Sequence, residues 1–299
     1  MTDLIVALQG TPEGRTAALW LALLAAFAHA LFGALQKGQF DPWLMRGGID
    51  SAYAVMALPV ALFVVPWPEP AMWPVFAGAF LIHAGYKTLQ AAAYARGAYT
   101  VVYPVVRGTG PLFTVLVAGL IFGEVFAPGQ WLGLAVLLAG IFGLAGWNLR
   151  TDTARRDTML PALGLAVLTG GFVAAYTTYD AWAIRLPPDP FTFLAWFFVI
   201  DGLLMPWLAR RRLAALPRAD LVPFVKKAVL GALIAYISFG AMMIATRIGN
   251  VGEAAVLRET STVFAALIGW LVLGERSGPA QVALMALIAT GAVMVKMAG

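Results

Sequence analysis

The chain has 299 residues, of which 61% are hydrophobic and only 12% charged, and it carries a net charge of +5. A soluble domain needs about 25% charged residues, so a water-exposed globular enzyme is excluded and an integral membrane protein is implied. With no cysteine and only two histidines, His29 and His83, disulfides, thiol nucleophiles, iron–sulfur clusters and thiolate zinc sites are excluded, and no metal or other cofactor is expected.

A bilayer core of about 30 Å needs roughly 20 apolar residues in a helix. Ten such stretches follow one another, near 17–36, 50–66, 73–95, 98–123, 130–147, 160–183, 190–208, 228–247, 251–273 and 279–296. The residues before the first span show neither the basic start nor the small-residue cleavage site of a secretory signal. Residues 37–48 separate spans 1 and 2, and a Pro-Trp-Pro-Glu-Pro run at 66–70 separates spans 2 and 3. The longest charged stretch, 210–227, falls between spans 7 and 8. Basic charge is spread over short loops rather than gathered in an arm, so no nucleic-acid partner is expected. The expected partners are a small-molecule substrate and membrane lipids.

Sliding the chain against itself by 151 residues reveals a repeat. Gly123-Glu124 falls on Gly274-Glu275, Arg96 on Arg247, Arg107 on Arg258, and Phe113 on Phe264. Pro128 falls on Pro279, Gln130 on Gln281 and Gly140 on Gly291. Charged and proline matches carry the argument, because Leu and Ala coincide by composition. The fold predicted is an all-α integral membrane protein of ten transmembrane helices, built as two inverted five-helix repeats, 1–149 and 160–299. An odd number of spans per half inserts the halves in opposite orientations. Such repeats build carriers whose substrate site lies at the repeat interface near the midplane.

A helix ending in Gly-Glu, a short loop with Pro and Gln, and then a small-residue helix occur at 116–146 and again at 267–294. In this the chain resembles the EamA-type branch of the drug/metabolite transporter superfamily. The resemblance implies a bacterial-type inner-membrane carrier. Relatives of that kind move amino acids, amines, nucleotide sugars and phosphorylated sugars, so the cargo stays unnamed.

Lys and Arg in short loops set orientation. The loops after the odd-numbered spans hold thirteen of them, and the termini and other loops hold four, Arg15, Arg185, Arg247 and Lys296. The thirteen-charge side is expected to be cytoplasmic, with both termini outside. The resembled family keeps its termini inside.

Three basic residues remain within spans: Lys87, Arg107 and Arg258. A charge at that depth costs roughly 2.5–3.5 kcal/mol on insertion scales, so it faces a bundle interior or a watery cavity. Arg107 and Arg258 each lie seventeen residues before a Gly-Glu pair, about 25 Å along a helix. Two readings stay open. The guanidinium forks grip an anionic cargo from opposite halves, or each is tied to an internal acid, with Glu253, Glu259 and Asp201 available.

Pro104 and Pro111 flank Arg107, and proline removes a backbone donor, so span 4 is expected to be interrupted there. His83, Lys87 and Gln90 share one edge of span 3, and Tyr99, Tyr103 and Arg107 recur at intervals of four. Tyr94 and Tyr99 are expected in the interfacial belt, and Asp180, near the end of span 6, in solvent. Ala135, Ala139 and Gly143 form a close-packing edge on span 5, read as internal packing or a weak homodimer contact. The substrate-contact candidates are thus Lys87, Arg107, Arg258, Tyr103, Glu259, His83 and Gln90. His29, Asp201 and Glu253 are the candidates for coupling or proton transfer, with a packing role also open for His29.

An intramembrane enzyme is the rival from another class, but no nucleophile elbow and no His-Glu-x-x-His motif occurs. The span 1 glutamate that marks small cationic-drug pumps is also missing. The reading is therefore a secondary carrier of a small anion or zwitterion, such as an amino acid or another carboxylate or phosphate compound. Amine or drug efflux and lipid translocation are the alternatives.

Overall fold

The computed structural model describes residues 2–36, 40–96, 99–151, 156–272 and 278–299. Every described element is helical: α1 (Thr2–Leu8), α2 (Pro12–Gln36), α3 (Pro42–Phe63), α4 (Met72–Arg96), α5 (Tyr99–Phe122), α6 (Pro128–Thr151) and α7 (Arg156–Ala183). There follow α8 (Pro190–Asp201), α9 (Leu204–Ala214), α10 (Arg218–Ala235), a π-helical segment (Tyr236–Gly240), α11 (Ala241–Ile248), α12 (Val251–Arg258), α13 (Ser261–Val272) and α14 (Pro279–Met297). Among the described residues, six helical stretches are long and apolar enough to cross a membrane, and a seventh if α8 and α9, bent by 40°, are one span. Large apolar side chains point outward, with Leu120 86%, Phe63 83% and Trp20 66% exposed. Faces that apolar belong in lipid rather than water.

The helix starts follow local chemistry. Proline stands at the first position of α2, α3, α6, α8 and α14, where its missing N–H is no loss. Asp41 caps α3 by accepting from the Leu44 N–H at 2.9 Å, and Asp189 caps α8 through Phe191 N–H. The repeated Pro-x-Gln motif has one job in both halves. Gln130 Oε1 accepts from Ala127 N–H at 2.9 Å, and Gln281 Oε1 accepts from Gly278 N–H at 3.0 Å. Each glutamine reaches back to the residue before its helix, satisfying a donor that the helix leaves orphaned.

Gly123 ends α5 with a φ of 68°, a left-handed conformation that glycine adopts without a steric penalty. That turn delivers the next residue, Glu124, to the other half. Its carboxylate accepts from the N–H groups of Val251 and Gly252, the first turn of α12. The acid meets both orphan amides and the positive end of that helix. Burial pushes the Glu124 carboxyl up, while the two amides and Arg185 pull it back. The matching Gly274 and Glu275 lie outside the described residues, as do Lys37, Arg155 and Arg276.

The packing obeys a two-fold exchange of halves. The pair α6 with α14 maps onto itself, and so does α3 with α8 and α9. The pair α5 with α7 maps onto α12 and α13 with α2, and α4 with α7 onto α10 and α11 with α2. At the α6–α14 contact a Cβ on Gly291 would lie 2.4 Å from the Leu137 nitrogen, and one on Gly140 would lie 2.7 Å from the Leu284 carbonyl. Glycines let the two backbones touch. The expected close-packing edge is therefore corrected in part. Gly143 meets Leu284, but Ala135 and Ala139 are exposed, and Gly133 and Gly140 make the contact instead.

Two further expectations are corrected. Span 4 is not interrupted: α5 runs unbroken through Pro104 and Pro111, since neighbouring helices can satisfy the groups that a proline frees. The break falls at the pseudo-equivalent place in the other half, where α12 ends at Arg258 and α13 begins at Ser261. The second correction concerns α3. It starts at Pro42, eight residues before the span expected at 50, so Arg46 is not a loop charge but an interior residue.

Candidate functional site

Buried charge collects where α3, α4, α7, α8, α5 and α12 meet. On one side stands Lys87 of α4. Its Nζ donates to Asp50 Oδ2 and to both carboxylate oxygens of Asp201, each at 3.0 Å. Asp50, fully buried, also pairs with Arg46 Nε at 2.7 Å, one turn away on α3. Asp201 takes a further hydrogen bond from the Tyr53 hydroxyl at 2.6 Å. Two cations thus face two carboxylates, and a buried ion stays charged only when so paired.

His83 lies one turn from Lys87 on α4. Its Nε2 is 2.8 Å from Asp180 Oδ2 and its Nδ1 is 3.9 Å from Asp201 Oδ1. The rings of Tyr176 and Phe197 wall it at 4.7 and 5.0 Å. Asp180 is thereby corrected: it is 4% exposed, not solvated.

The second cluster spans the halves. Arg107 Nε lies 2.9 Å from Glu259 Oε2, an ion pair without hydrogen-bond alignment. Its Nη2 donates to the Arg258 carbonyl at 3.3 Å and to the Ser261 hydroxyl, so one guanidinium closes the broken end of α12 against its negative pole. Tyr103 packs its ring beneath at 5.8 Å. Arg258 is held more loosely. It donates to the Tyr176 hydroxyl at 3.5 Å and lies 5.3 Å from the Phe239 ring centre, and its buried Nε has no hydrogen-bond partner among the described residues.

A crevice of about 10 Å³, room for about one water, lies between α7, the π-helical segment, α11 and α12. Arg258 and Asp180 both line it, with Tyr176, Phe239, Met242 and Met243. Asp180 Oδ1 is buried and also without a hydrogen-bond partner among the described residues. The two opposite charges share the crevice, yet Asp180 is paired with His83 instead.

The structure therefore gathers Lys87, His83, Asp201, Arg107, Glu259, Arg258 and Tyr103 into one buried polar core. Gln90 sits beyond it, donating to the Tyr86 hydroxyl at 2.7 Å. His29 on α2 has a buried Nδ1 without a partner among the described residues, within the field of Arg107, Arg258 and Arg46. Glu253 stands apart near the chain ends, paired with Lys296 at 2.9 Å in a crevice with Arg15 and Asn250. Sequence reasoning missed Arg46, Asp50, Tyr53 and Ser261. The Asp41-Pro42 start signal would have moved Arg46 and Asp50 into a helix at i, i+4 spacing. The side chains of Tyr94 and Tyr99 lie outside the described set, and no group of three metal-ligating residues occurs among the described ones.

The family model of the EamA-like transporter family matches this chain twice, over residues 16–146 and 160–297. A solved crystal structure, 19% identical in sequence, is similar with a TM-score of 0.73 over 96% of this chain and 98% of its own. No curated protein matches the chain.

Proposed function

We propose that this chain, which belongs to the EamA-like transporter family, is a secondary carrier of a small zwitterion such as an amino acid. Membership makes it an integral membrane protein and a transporter of small molecules; the cargo and mechanism are our reading. One observation carries it. Arg258 and Asp180 line a single crevice, each with a buried polar atom lacking a hydrogen-bond partner among the described residues. A buried polar atom left unpaired is costly, and a ligand bearing a carboxylate and an ammonium would satisfy both at once. The two-arginine clamp on an anion is less well supported, because Arg107 already holds Glu259, Ser261 and the Arg258 carbonyl.

The present state is compact. At the end carrying both termini, Glu124 and Gln130 of the first half bind backbone groups of the second. Arg185 donates to the carbonyls of Ala181 and Thr246, and Arg247 to that of Ile184. Burial pushes the Arg185 guanidinium down to about 10. Cargo enters when the halves part around the crevice, in alternating access. We place the carrier in a bacterial-type inner membrane as a monomer or weak homodimer. With Arg46 drawn inside among buried carboxylates, twelve basic residues at the junctions after odd-numbered spans stand against four elsewhere, so both termini face outward. A periplasm-active phosphatase fused to the C-terminus should be active, and an inactive fusion overturns that orientation.

The cargo test is a thermal-shift screen of neutral L-amino acids, carboxylates, phosphate esters and amines, followed by binding to variants. Zwitterions should stabilise the wild type. A charge-assisted contact contributes roughly 1.5–3 kcal/mol, so Arg258→Gln and Asp180→Asn should each weaken affinity by about one to two decades. The double variant should lose less than the sum, since both grip one molecule. Stabilisation by phosphate esters alone restores the anion reading. Stabilisation by amines alone, with Arg258→Gln neutral or favourable, points to amine efflux.

A further inference from the structure

We propose that His83, held between Asp180 and Asp201, binds a coupling proton, and that the carrier exchanges this proton for its cargo at Asp180. The proposal rests on the crevice reading and adds a second ligand to it. His83 is 2% exposed, and both ring nitrogens face carboxylates, Nε2 on Asp180 and Nδ1 on Asp201. The two acids differ in what else they hold. Asp201 is saturated by Lys87 and Tyr53. Asp180 gives Oδ2 to His83, keeps Oδ1 without a hydrogen-bond partner among the described residues, and lines the crevice.

One carboxylate is therefore shared between an imidazole and the cargo site. With His83 neutral, Nε2–H donates to Asp180, whose full negative charge is free to hold an ammonium. When a proton from water binds Nδ1, the ring becomes an imidazolium beside the same carboxylate and compensates its charge. The ammonium then loses its partner, and cargo leaves. Departure of the proton restores the carboxylate for the next cargo molecule. No bond besides N–H forms or breaks. By linkage, cargo binding must favour proton loss by the same factor. Affinity should accordingly rise with pH as His83 gives up its proton.

The groups facing His83 are Asp180 and Tyr176 on α7 and Asp201 on α8, with Tyr86 and Lys87 three and four residues further along its own helix. Behind them stand Arg46, Asp50 and Tyr53 on α3, Arg107 on α5 and Arg258 on α12. The cations among these are matched by Asp50, Asp201 and Glu259 or stand across the crevice. Histidine is the side chain suited to change charge within the physiological range.

Because the chain has only two histidines, isotope-labelled imidazoles in lipid nanodiscs give two signals, assigned with His29→Gln. The His83 signal should switch between a neutral and a protonated form as the pH is varied, and Asp180→Asn should move that switch. In proteoliposomes exchanging an equimolar mixture of radiolabelled neutral L-amino acids, wild-type affinity should change about tenfold between about pH 5.5 and pH 8. In His83→Gln, whose amide still donates to Asp180, that pH profile should be flat. A His83 ring fixed in one protonation state, or an unchanged slope in His83→Gln, overturns the proposal. If the wild type ignores the mixture, the zwitterion reading falls, and the imidazole titration alone decides the proton site.

Discussion

Arg107→Ala should destabilise the folded protein by about 3–5 kcal/mol, the usual cost of removing one partner from a buried ion pair. The substitution leaves the Glu259 carboxylate, 3% exposed, without the cation that faces it. It also uncaps the Arg258 carbonyl and the Ser261 hydroxyl at the break between α12 and α13. Removing both charges with Arg107→Ala and Glu259→Gln should recover much of the loss, because an unpaired buried charge costs more than a missing pair. Arg107→Lys keeps the charge but not the planar fork that reaches three acceptors, so it should fall between. Unfolding in mild detergent measures all four proteins. A fully stable Arg107→Ala that binds cargo weakly would instead make Arg107 a substrate contact.

The second large effect is expected at Lys87. Its ammonium is the hinge between Asp50 on α3 and Asp201 on α8, helices that belong to opposite halves. Lys87→Met should cost about 3–5 kcal/mol by the same reasoning, since Arg46 alone cannot neutralise two buried carboxylates. Adding Asp201→Asn should restore stability in part: the amide oxygen still accepts from Tyr53, and one negative charge is gone. Thermal unfolding, with size-exclusion profiles to detect aggregation, reads both variants. Were Lys87→Met as stable as the wild type, the ammonium would not be holding α3 to α8.

Much of the architecture is legible in the residues themselves. Apolar runs of span length, punctuated by Pro, Gly and charge, are a local property, because the bilayer demands a fixed apolar length and an internally bonded backbone. The repeat is legible for a related reason. Gly123, Pro128 and Gln130, with Pro279 and Gln281 in the second half, meet needs that arise within a few residues: a left-handed turn, a first helical position, a reach back to an orphan N–H. The intramembrane charges Lys87, Arg107 and Arg258 also announce themselves, since their burial is too costly to be incidental.

What tertiary structure alone decided is which charge answers which. Arg107 and Glu259 stand 152 positions apart, and Lys87 and Asp201 are 114 apart. No spacing rule joins them; they meet because the halves pack by a two-fold exchange. The same packing decided that Pro104 and Pro111 leave α5 whole while α12, without a proline, breaks beside Arg258. It also drew Asp180 inward against His83, although its place near a span end reads as solvent. Sequence fixes where a charge lies along its own helix. Whether that charge is paired or left free for a ligand depends on neighbours supplied by other helices, and on the low dielectric that makes each unpaired group expensive.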